Sequence, residues 1–473
     1  MNHVKKCIYI FLSIASAKGL FADNSLVTQN QNLALYRSAS ANMTAEMLMS
    51  SCGGCDKDGM RFDFAVQPFY TKNFNQHKKT TDADFNPGTH WSWAADGTNT
   101  MNMAADYVHD FNWDAASMQN VTATSMTLDP KISTWGMHIM AAWFQSNNST
   151  GLFAKVQAPF GVTYLNPNFT IADDEGDIVA NYFNGTASGN SNDLTKAPTY
   201  GLINGKQNSK VKLAEINAAL GYYFIKDENK EFAIALRGAF ATGNQPDGKL
   251  VLQPIFGNGK YHTVGAEFLG KVKIWQGDKD QYAFMQMDAN LQHLFINKKG
   301  VRTFDFKDVT GVTLKGSRYY TIQDSAGTPT IYQPLANVST LKVKSNFSAQ
   351  LDIAMQFGYV TGGFKVGLGY ELFARTAETL ALNDDFTQAW YRQNWLATDA
   401  DSFKGEITTA DLDIQGQAQP GMATSKVFAN MDYTWHDNAH CPHIGMNANL
   451  ELSHAANNGL PLWGVAMVGG LSF

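Results

Sequence analysis

The chain has 473 residues, of which 40 are glycine and only 13 proline, and aromatic residues make up 12% of it. That length could hold several soluble domains, but a large barrel also occupies it as one, and this composition favours an all-β protein with many turns. The formal net charge of -6 at pH 7 gives no support for nucleic-acid binding, so no nucleic-acid partner is expected.

The N-terminus has the pattern of a secretory signal. Lys5 and Lys6 precede an apolar run at 7–17, and small residues offer cleavage points after Ala17 or Ala22. The run is too short to span a bilayer as a mature helix. We therefore predict a signal peptide at 1–22. A polar segment at 23–57, with a short helix near 41–49, follows it and would lie in the periplasm or fold into a lumen.

Beyond residue 58, the sequence alternates between apolar and polar residues, as β-strands with one apolar face do. A first strand is predicted at 60–71. Five hairpins and a closing strand follow, giving about twelve strands, an even number as expected for a bacterial barrel. The hairpins pair 136–145 with 151–165, 210–225 with 231–241, 262–275 with 281–295, 346–359 with 364–375, and 426–435 with 443–454. Adding a hairpin of 301–307 with 317–323 would give fourteen strands, but we predict it to be an extracellular extension.

Short turns alternate with long polar connections, and aromatic residues collect near the short turns. This is the pattern of a transmembrane antiparallel up-and-down β-barrel with short periplasmic turns and long extracellular loops. We assign 58–473 to the barrel. The loop at 72–134 is either a pore constriction or a surface lid, and it carries five large aromatic residues, Trp91, Trp93, Tyr107, Phe111 and Trp113.

The last thirteen residues, PLWGVAMVGGLSF, form a strand with alternate apolar positions and a terminal Phe473. This ending resembles the porin-type β-barrels of the Gram-negative outer membrane. The resemblance implies secretion to the periplasm, insertion by the barrel assembly machinery, contact with outer-membrane lipid and lipopolysaccharide, and a homotrimer as one oligomeric state. The other face of the strand is small and uncharged, from Gly464 to Ser472, and leaves room for the N-terminal segment, the first loop or water.

Charged residues occupy positions that alternate away from lipid, and these are the candidate pore-lining residues. They are Arg61, Asp63, Lys155, Glu215, Arg237, Glu267, Lys271, Lys273, Asp288, Asp352, Lys365, Glu371, Arg375, Lys426, Asp432 and Glu451. Positive and negative members are equal in number. Such a set can line a wet pore of weak charge selectivity, or it can pair into a network that closes the lumen.

Three cysteines remain after the signal peptide, Cys52, Cys55 and Cys441. One disulfide, either within the CxxC pair or from Cys441 to one of that pair, is the first interpretation. A Zn site formed by these cysteines with His436, His440 and His443 is the alternative. The acidic loop at 173–177 has ligands for Ca²⁺ but lacks EF-hand spacing. No other cofactor is expected.

No short catalytic motif is present, and His138 and His454 are the only strand histidines that merit a test of an enzyme role. We therefore predict no enzyme. The predicted function is a porin-type channel for passive diffusion of small hydrophilic solutes. The alternatives are a surface-exposed structural or adhesive barrel with a closed lumen, and an outer-membrane barrel enzyme.

Overall fold

The computed structural model describes residues 37–38, 42–50, 59–74, 90–92, 125–128, 130–147, 150–171, 178–186, 197–278, 280–307, 311, 317–319, 321–324, 332–386, 389–392, 406–436, 440–453 and 461–473. Within these ranges, twelve antiparallel strands form a closed barrel. They are β1 (Gly59–Asn73), β2 (Lys131–Asn147), β3 (Thr150–Asn166), β4 (Glu215–Lys226), β5 (Lys230–Ala241), β6 (Thr263–Gln276), β7 (Gln281–Leu294), β8 (Gln350–Thr361), β9 (Phe364–Arg375), β10 (Met422–Thr434), β11 (His443–Ser453) and β12 (Leu462–Ser472).

Each strand pairs with its neighbours in sequence, and β1 pairs with β12 to close the ring. Asp63 lies opposite Ser472 at one end of this seam, and Asn73 lies opposite Leu462 at the other. Two short strands, Gln207–Asn208 and Lys212–Leu213, pair with the C-terminal part of β3 before β4 begins. Closure leaves no unpaired edge in the wall, which a membrane-spanning sheet requires.

Strand side chains alternate between the lumen and the outside. In β5, Leu236 is 68% exposed whereas the neighbouring Arg237 is 3% exposed. The same contrast recurs round the wall, where exposed large apolar residues include Leu220, Leu368, Leu450, Val465 and Met467. An apolar exterior with a charged interior is the arrangement of barrels that span a lipid bilayer.

The prediction of a twelve-stranded up-and-down barrel is confirmed. The second strand begins at Lys131 rather than 136, because the apolar Ile132 is buried there while the polar Ser133 lies on the other face, which reverses the alternation on which the prediction depended. The hairpin predicted between 301–307 and 317–323 is wrong. Asn297–Thr303 pairs with Thr340–Phe347, and Thr321–Asp324 pairs with Tyr332–Pro334 and Trp390–Arg392.

The long connections contain small sheets and helices of their own. Thr340–Phe347 also pairs with Glu378–Leu382, Trp390–Arg392 with Glu406–Ile407, and Ser125–Leu128 with both His90–Ser92 and Phe169–Ile171. Among the described residues, the helices outside the lumen are Ile178–Asn184 and Ala336–Ser339, with 3-10 turns at Ser317–Tyr319, Thr409–Asp411 and Gln415–Gln417. In the described residues, no helix is long and apolar enough to cross a membrane.

Two of these connections, the one between β7 and β8 and the one between β9 and β10, share a packed core at the long-loop end of the barrel. Its apolar members include Phe304, Phe306, Ile322, Leu380 and Trp390. A buried ion pair between Arg318 and Asp305 lies beside it, and the Tyr319 hydroxyl donates to the Gly201 carbonyl at 2.6 Å. Burial raises the pKa of Tyr319. The described parts of these connections therefore pack against one another rather than being separately solvated.

A pair of glycines makes room for aromatic rings on the inner wall. Gly136 of β2 and Gly161 of β3 lie opposite each other. A Cβ at Gly136 would fall 2.6 Å from the Phe69 ring, and one at Gly161 would fall 2.9 Å from the Phe256 ring. Both distances are shorter than van der Waals contact. The two rings can therefore lie against β2 and β3 only because neither glycine has a side chain.

We expect Gly161→Ala to destabilise the barrel by about 1–3 kcal/mol, because the added methyl overpacks a closed wall. The measurement is the midpoint of thermal loss of β-sheet circular dichroism in detergent. Gly238→Ala is the control, because its Cβ would have only an ordinary contact at 3.6 Å, with the Thr263 carbonyl. Equal midpoints for the two variants would contradict the packing argument.

Candidate functional site: a helix inside the barrel

A short helix, α1 (Met43–Met49), lies inside the barrel. Asn42 caps its N-terminus, where the side-chain oxygen accepts from the Ala45 amide at 3.2 Å. All seven helix residues are buried. A helix of two turns is marginal in isolation, so its surroundings must stabilise it.

Apolar side chains of α1 contact opposite walls of the lumen. On one side, Ala45 and Met49 pack with Ala65, Met140 and Val468, which belong to β1, β2 and β12. The small inward face of the last strand thus accommodates the N-terminal segment, one of the three occupants that the sequence left open.

On the other side, Met43 and Met47 pack with Ala354 of β8 and Phe428 of β10. Methionine is flexible and polarizable, and suits a helix that must fit between two walls.

Glu46, the only charged residue of α1, forms the first ion cluster. Its carboxylate accepts from the Arg237 guanidinium at 2.5 and 2.7 Å and from Lys155 at 3.0 Å. Glu267 of the wall also contacts Lys155, and it lies 3.4 Å from Arg237. Without Glu46, these three wall residues would carry a net charge of about +1. The helix supplies the charge that the wall lacks.

Arg37 forms the second cluster, and here the signs are reversed. Its guanidinium donates to Asp352 at 2.6 Å and to Glu371. Lys426 donates to Glu371 at 2.7 Å and to the Asn42 side chain at 3.2 Å. Without Arg37, these wall residues would carry about −1. The N-terminal segment therefore neutralises a positive site with Glu46 and a negative site with Arg37.

Backbone and hydroxyl groups at the start of α1 add to the second cluster. The Met43 amide donates to Glu371 at 3.0 Å and approaches Asp352 at 3.2 Å, and the Thr44 hydroxyl bonds to Glu371. Carboxylates are favoured at a helix N-terminus, where amide groups lack intrahelical partners. These hydrogen bonds fix the position of the N-terminal end of α1 against the wall, in addition to the charge pairing of Arg37.

Separate cavities meet α1 at its two ends. The cavity toward the long loops is lined by amides and hydroxyls such as Gln67 and Thr134, and also by the charged residues Arg37, Lys426 and Glu451. The cavity toward the short turns, which we call the vestibule, is lined by Arg61, Lys226, Lys271 and Lys365 together with aromatic rings. The helix thus stands between two spaces, each of which is lined by charges of both signs.

The structure brings six of the sixteen candidate pore-lining residues together round the N-terminal segment: Lys155, Arg237, Glu267, Asp352, Glu371 and Lys426. Two more form a pair, Arg61 with Asp63 at 3.1 Å. The others bond or stack with neighbours, namely Glu215 with Asn217, Lys271 with Glu231, Lys273 on Tyr282, Asp288 with Gln286, Lys365 on Phe284, Arg375 with Gln419, Asp432 with Asn430, and Glu451 with Thr424.

Sequence reasoning missed Arg37 and Glu46, which hold the N-terminal segment in place. One signal was available. The predicted short helix carries one charged residue, Glu46, among apolar residues. If the apolar side chains of such a helix are buried, its carboxylate is buried with them and needs a partner of opposite charge. Arg37 has no comparable local pattern.

Cys441 is disulfide-bonded, and its partner lies outside the described residues, as do Cys52 and Cys55. A disulfide sulfur is not a thiolate, so Cys441 does not act as a Zn ligand in this state. His440 contacts the Phe473 ring at 6.5 Å between centroids. His443 is buried beside Gly470, and His436 lines the vestibule. Among the described residues, no group of three or more His, Cys, Asp or Glu is placed to hold a metal.

His138 is buried in the lumen, with its ring 4.7 Å from the Phe69 ring and its Nδ1 3.4 Å from the Gln157 amide. This environment is a packed one, with no nucleophile in those contacts. His454, the signal peptide, the acidic loop at 173–177, and the loop aromatics Trp93, Tyr107, Phe111 and Trp113 lie outside the described residues.

The closed twelve-stranded wall, apolar exterior and charged lumen make the protein a β-barrel of the bacterial outer-membrane class. Neither a protein-family model nor a curated protein matches its sequence.

Among solved structures, it is similar to an outer membrane channel from Pseudomonas putida F1, with 8% identity, a TM-score of 0.42, and coverage of 88% of this chain and 96% of that one. It is also similar to the toluene transporter TbuX of Ralstonia pickettii, with 8% identity, a TM-score of 0.30, and coverage of 89% and 90%. A third is the β domain of the Bordetella autotransporter BrkA, with 10% identity, a TM-score of 0.32, and coverage of 88% and 100%.

We expect Glu46→Gln to loosen α1 without unfolding the barrel. The amide keeps the shape but not the charge, so Arg237 and Lys155 lose a buried partner, which costs about 3 kcal/mol or more. Hydrogen exchange followed by mass spectrometry should show protection of residues 43–49 falling by at least about tenfold, with the barrel strands unchanged.

The control is Glu231→Gln, which removes one carboxylate from the half-exposed, 3.8 Å pair with Lys271. Such a pair contributes little to stability. Protection of α1 that is the same in Glu46→Gln as in the wild type would show that the Glu46 cluster does not hold the helix.

Proposed function

We propose that this protein is an outer-membrane channel for small hydrophilic solutes, and that its own N-terminal segment is a plug that must move for solutes to pass. One observation carries the proposal: Glu46 and Arg37 each neutralise a wall site of opposite charge inside the lumen. A helix built only to fill space would need no such matching.

Ion pairs suit a plug that has to leave as well as bind. When α1 withdraws, the wall charges that it neutralised can be hydrated in a widened lumen, whereas an apolar wall would be left exposed to water. The desolvation and the pairing of buried charges nearly offset each other, so the net free energy that holds the plug is small compared with the gross attraction. A modest input of free energy can then change its position.

The released lumen would favour neither sign strongly. The sixteen candidate pore-lining residues comprise eight cationic and eight anionic groups. Local fields from the two wall clusters oppose each other, because one is left positive and the other negative. We therefore propose weak charge selectivity, with passive diffusion as the mode of transport once the plug is displaced.

A second function, that of a surface-exposed structural or adhesive barrel, is favoured by a different observation. Two of the long connections, β7–β8 and β9–β10, pack round Phe304, Phe306 and Trp390 into a core of their own. An ordered cover suits a surface that binds a partner, and a permanently plugged barrel could serve only to anchor it. Conductance distinguishes the two functions.

We expect the folded protein in planar bilayers to open rarely, and Glu46→Gln combined with Arg37→Gln to raise the open probability by at least about tenfold. A loss of 1.4 kcal/mol in plug binding is enough for that change. The reversal potential in a KCl gradient should lie close to zero, as balanced lumen charge requires.

The control for conductance is Glu231→Gln, which should leave the open probability unchanged. If neither the wild type nor the double variant gives stepwise current while both remain folded, the channel proposal is wrong and the anchoring function is favoured. An insertion mediated by the barrel assembly machinery, contact with lipopolysaccharide and a homotrimer remain predictions that accompany the outer-membrane placement.

We further propose that the disulfide partner of Cys441 is Cys52 or Cys55. The plug ends at Ser50, which lines the vestibule together with His436 of the β10–β11 turn. Cys441 belongs to that same connection. A bond from this turn to the residues after the plug would tether it, so that it could shift within the mouth but not leave the barrel.

Peptide mapping without reduction should therefore recover a cross-linked peptide that joins residues 51–58 to the segment containing Cys441. Cys441→Ser should abolish that peptide and raise the open probability of the channel, since the plug loses its tether. Recovery of an internal Cys52–Cys55 bridge from oxidised wild-type protein would exclude the tether.

A further inference from the structure

The inner face of β12 is the floor of a trough in the cavity toward the long loops. Between Leu462 and Val468 its inward residues are Gly464 and Ala466, which project little into the lumen. The strands β1 and β11 flank β12 on either side. They lie roughly 10 Å apart, which is two strand spacings. We call this space the polar trough, and its width suits one small solute.

Polar side chains project into the polar trough from both flanking strands. Gln67 and Thr71 come from β1, and Asn449 and Glu451 come from β11, and all four line the cavity. Two of them converge over the floor, because a Cβ at Gly464 would lie 2.9 Å from Asn449 Oδ1 and 3.0 Å from the Thr71 methyl group. A solute above Gly464 would therefore contact both strands.

These side chains retain hydrogen-bonding capacity. Gln67 is only 2% exposed, yet no hydrogen bond among the described residues involves its side-chain amide or the Thr71 hydroxyl. Thr424 donates to Oε1 of Glu451 at 2.6 Å, and Asn449 donates within β11. Within the described part of the chain, the other carboxylate oxygen of Glu451 and the side-chain oxygen of Asn449 accept nothing. A buried polar group without a partner costs free energy, and a solute that supplies the partner relieves that cost.

The charges beside the polar trough disfavour a charged solute. Arg37 and Lys426 line the same cavity, and both are engaged, Arg37 by Asp352 and Glu371, and Lys426 by Glu371. A cation would be repelled by these two bases, and an anion would be repelled by Glu451. A hydroxyl group suits the groups that remain, because it donates to a carboxylate or amide oxygen and accepts from an amide.

Two aromatic rings provide apolar surface in the same cavity. Phe69 and Phe256 both line it, and their rings lie against Gly136 and Gly161 of the wall. Binding pockets for small molecules commonly combine aromatic surface with a few polar groups that fix orientation. A sugar ring has both kinds of surface, since its C–H groups are apolar and its hydroxyls are polar.

We propose that the polar trough is a binding site for a neutral polyhydroxylated solute of the size of a monosaccharide. Hydroxyls of the solute donate to Glu451 and Asn449 and accept from Gln67, and the bond to the carboxylate is charge-assisted. The site names the class of solute that the proposed channel takes.

This inference rests on the proposed function, because the plug and the solute compete for one space. Thr44, Ala45 and Leu48 of α1 line the same cavity, which has room for only a few water molecules while the helix is in place. A sugar therefore binds once the plug has shifted, and its binding favours the shifted plug.

The test is isothermal titration of the full folded chain with glucose, in a polyoxyethylene detergent because its headgroup contains no sugar. Glucose should bind the plug variant Glu46→Gln/Arg37→Gln at least about tenfold more tightly than the wild type, since apparent affinity rises with the population of the competent state. Glucuronate and glucosamine have the same ring with a negative and a positive charge. Both should bind the plug variant at least about fivefold more weakly than glucose.

Gln67→Leu, introduced into the plug variant, should weaken glucose binding at least about fivefold, because leucine neither donates nor accepts. The matched control is Gln292→Leu, which replaces an inward amide of β7, on the opposite side of the ring of strands and outside the cavity lining. This control should leave glucose binding unchanged. Circular dichroism establishes that each variant is folded before titration.

Equal weakening by the two leucine variants, or a preference for either charged sugar, would overturn the site. A plug variant that conducts but does not bind glucose would also overturn it, and the channel would stand alone. Glucose binding that Gln67→Leu weakens, in a protein that never conducts, would support the site and overturn the channel instead.

Discussion

The structure depends on one electrostatic constraint, that charges directed into a closed barrel must be neutralised inside it. A strand that shows apolar side chains to lipid sends every alternate side chain inward. Lys155, Arg237 and Glu267 are therefore confined to the lumen, and they do not balance one another. Glu46 completes their set. Because an unpaired buried charge is strongly destabilising whereas a completed cluster is close to neutral, the position of α1 follows from the wall.

This constraint explains why so short a helix is stable. Seven residues form too few backbone hydrogen bonds to offset the entropy of their nucleation. The barrel provides what the helix lacks: a wall on either side for its methionines, and carboxylates for its free N-terminal amides. In return, the helix completes both ion clusters. Wall and plug are one cooperative unit, although 191 residues separate Glu46 from Arg237 in the chain.

The fold was predictable from the sequence because its signal is local. Alternation with period two is visible within ten residues, and short turns such as that between β8 and β9 join strands adjacent in the chain. The partners of Glu46 and Arg37 were not predictable. Arg37 and Asp352, for example, are 315 positions apart in the chain, and alternation does not distinguish one inward carboxylate from another as the partner of Arg37. The pairing of the loop strands was wrongly predicted for the same reason. Thr321–Asp324 pairs with Trp390–Arg392, far along the chain, and no turn residue signals that pairing.

The sequence predicted the wall residues of the candidate site but not the two residues of the N-terminal segment that bind them. Alternation placed Lys155, Arg237, Glu267, Asp352, Glu371 and Lys426 on the inner face, and the structure has them there. It could not say whether they lined water or a plug, because both arrangements require the same inward charges. The small inward residues of β12 were the better guide, since a face without bulk in an otherwise crowded lumen implies that something else fills the space. Val468 contacts Ala45 and Met49 there.

The plug also divides the lumen into two spaces. The space toward the long loops is lined by charged groups, among them Arg37, Lys426 and Glu451, as well as by amides and hydroxyls such as Gln67 and Thr134. The space toward the short turns is lined by lysines and aromatic rings, and also by the carboxylates Glu231 and Asp288. A charge acts over the Debye length, which is about 8 Å at physiological salt. A charged solute would therefore respond to either space before contact, whereas a neutral solute would respond only through short-range hydrogen bonds and ring contacts. Displacement of the plug would join two spaces that each carry both signs of charge, which is the arrangement expected of a lumen with weak charge selectivity.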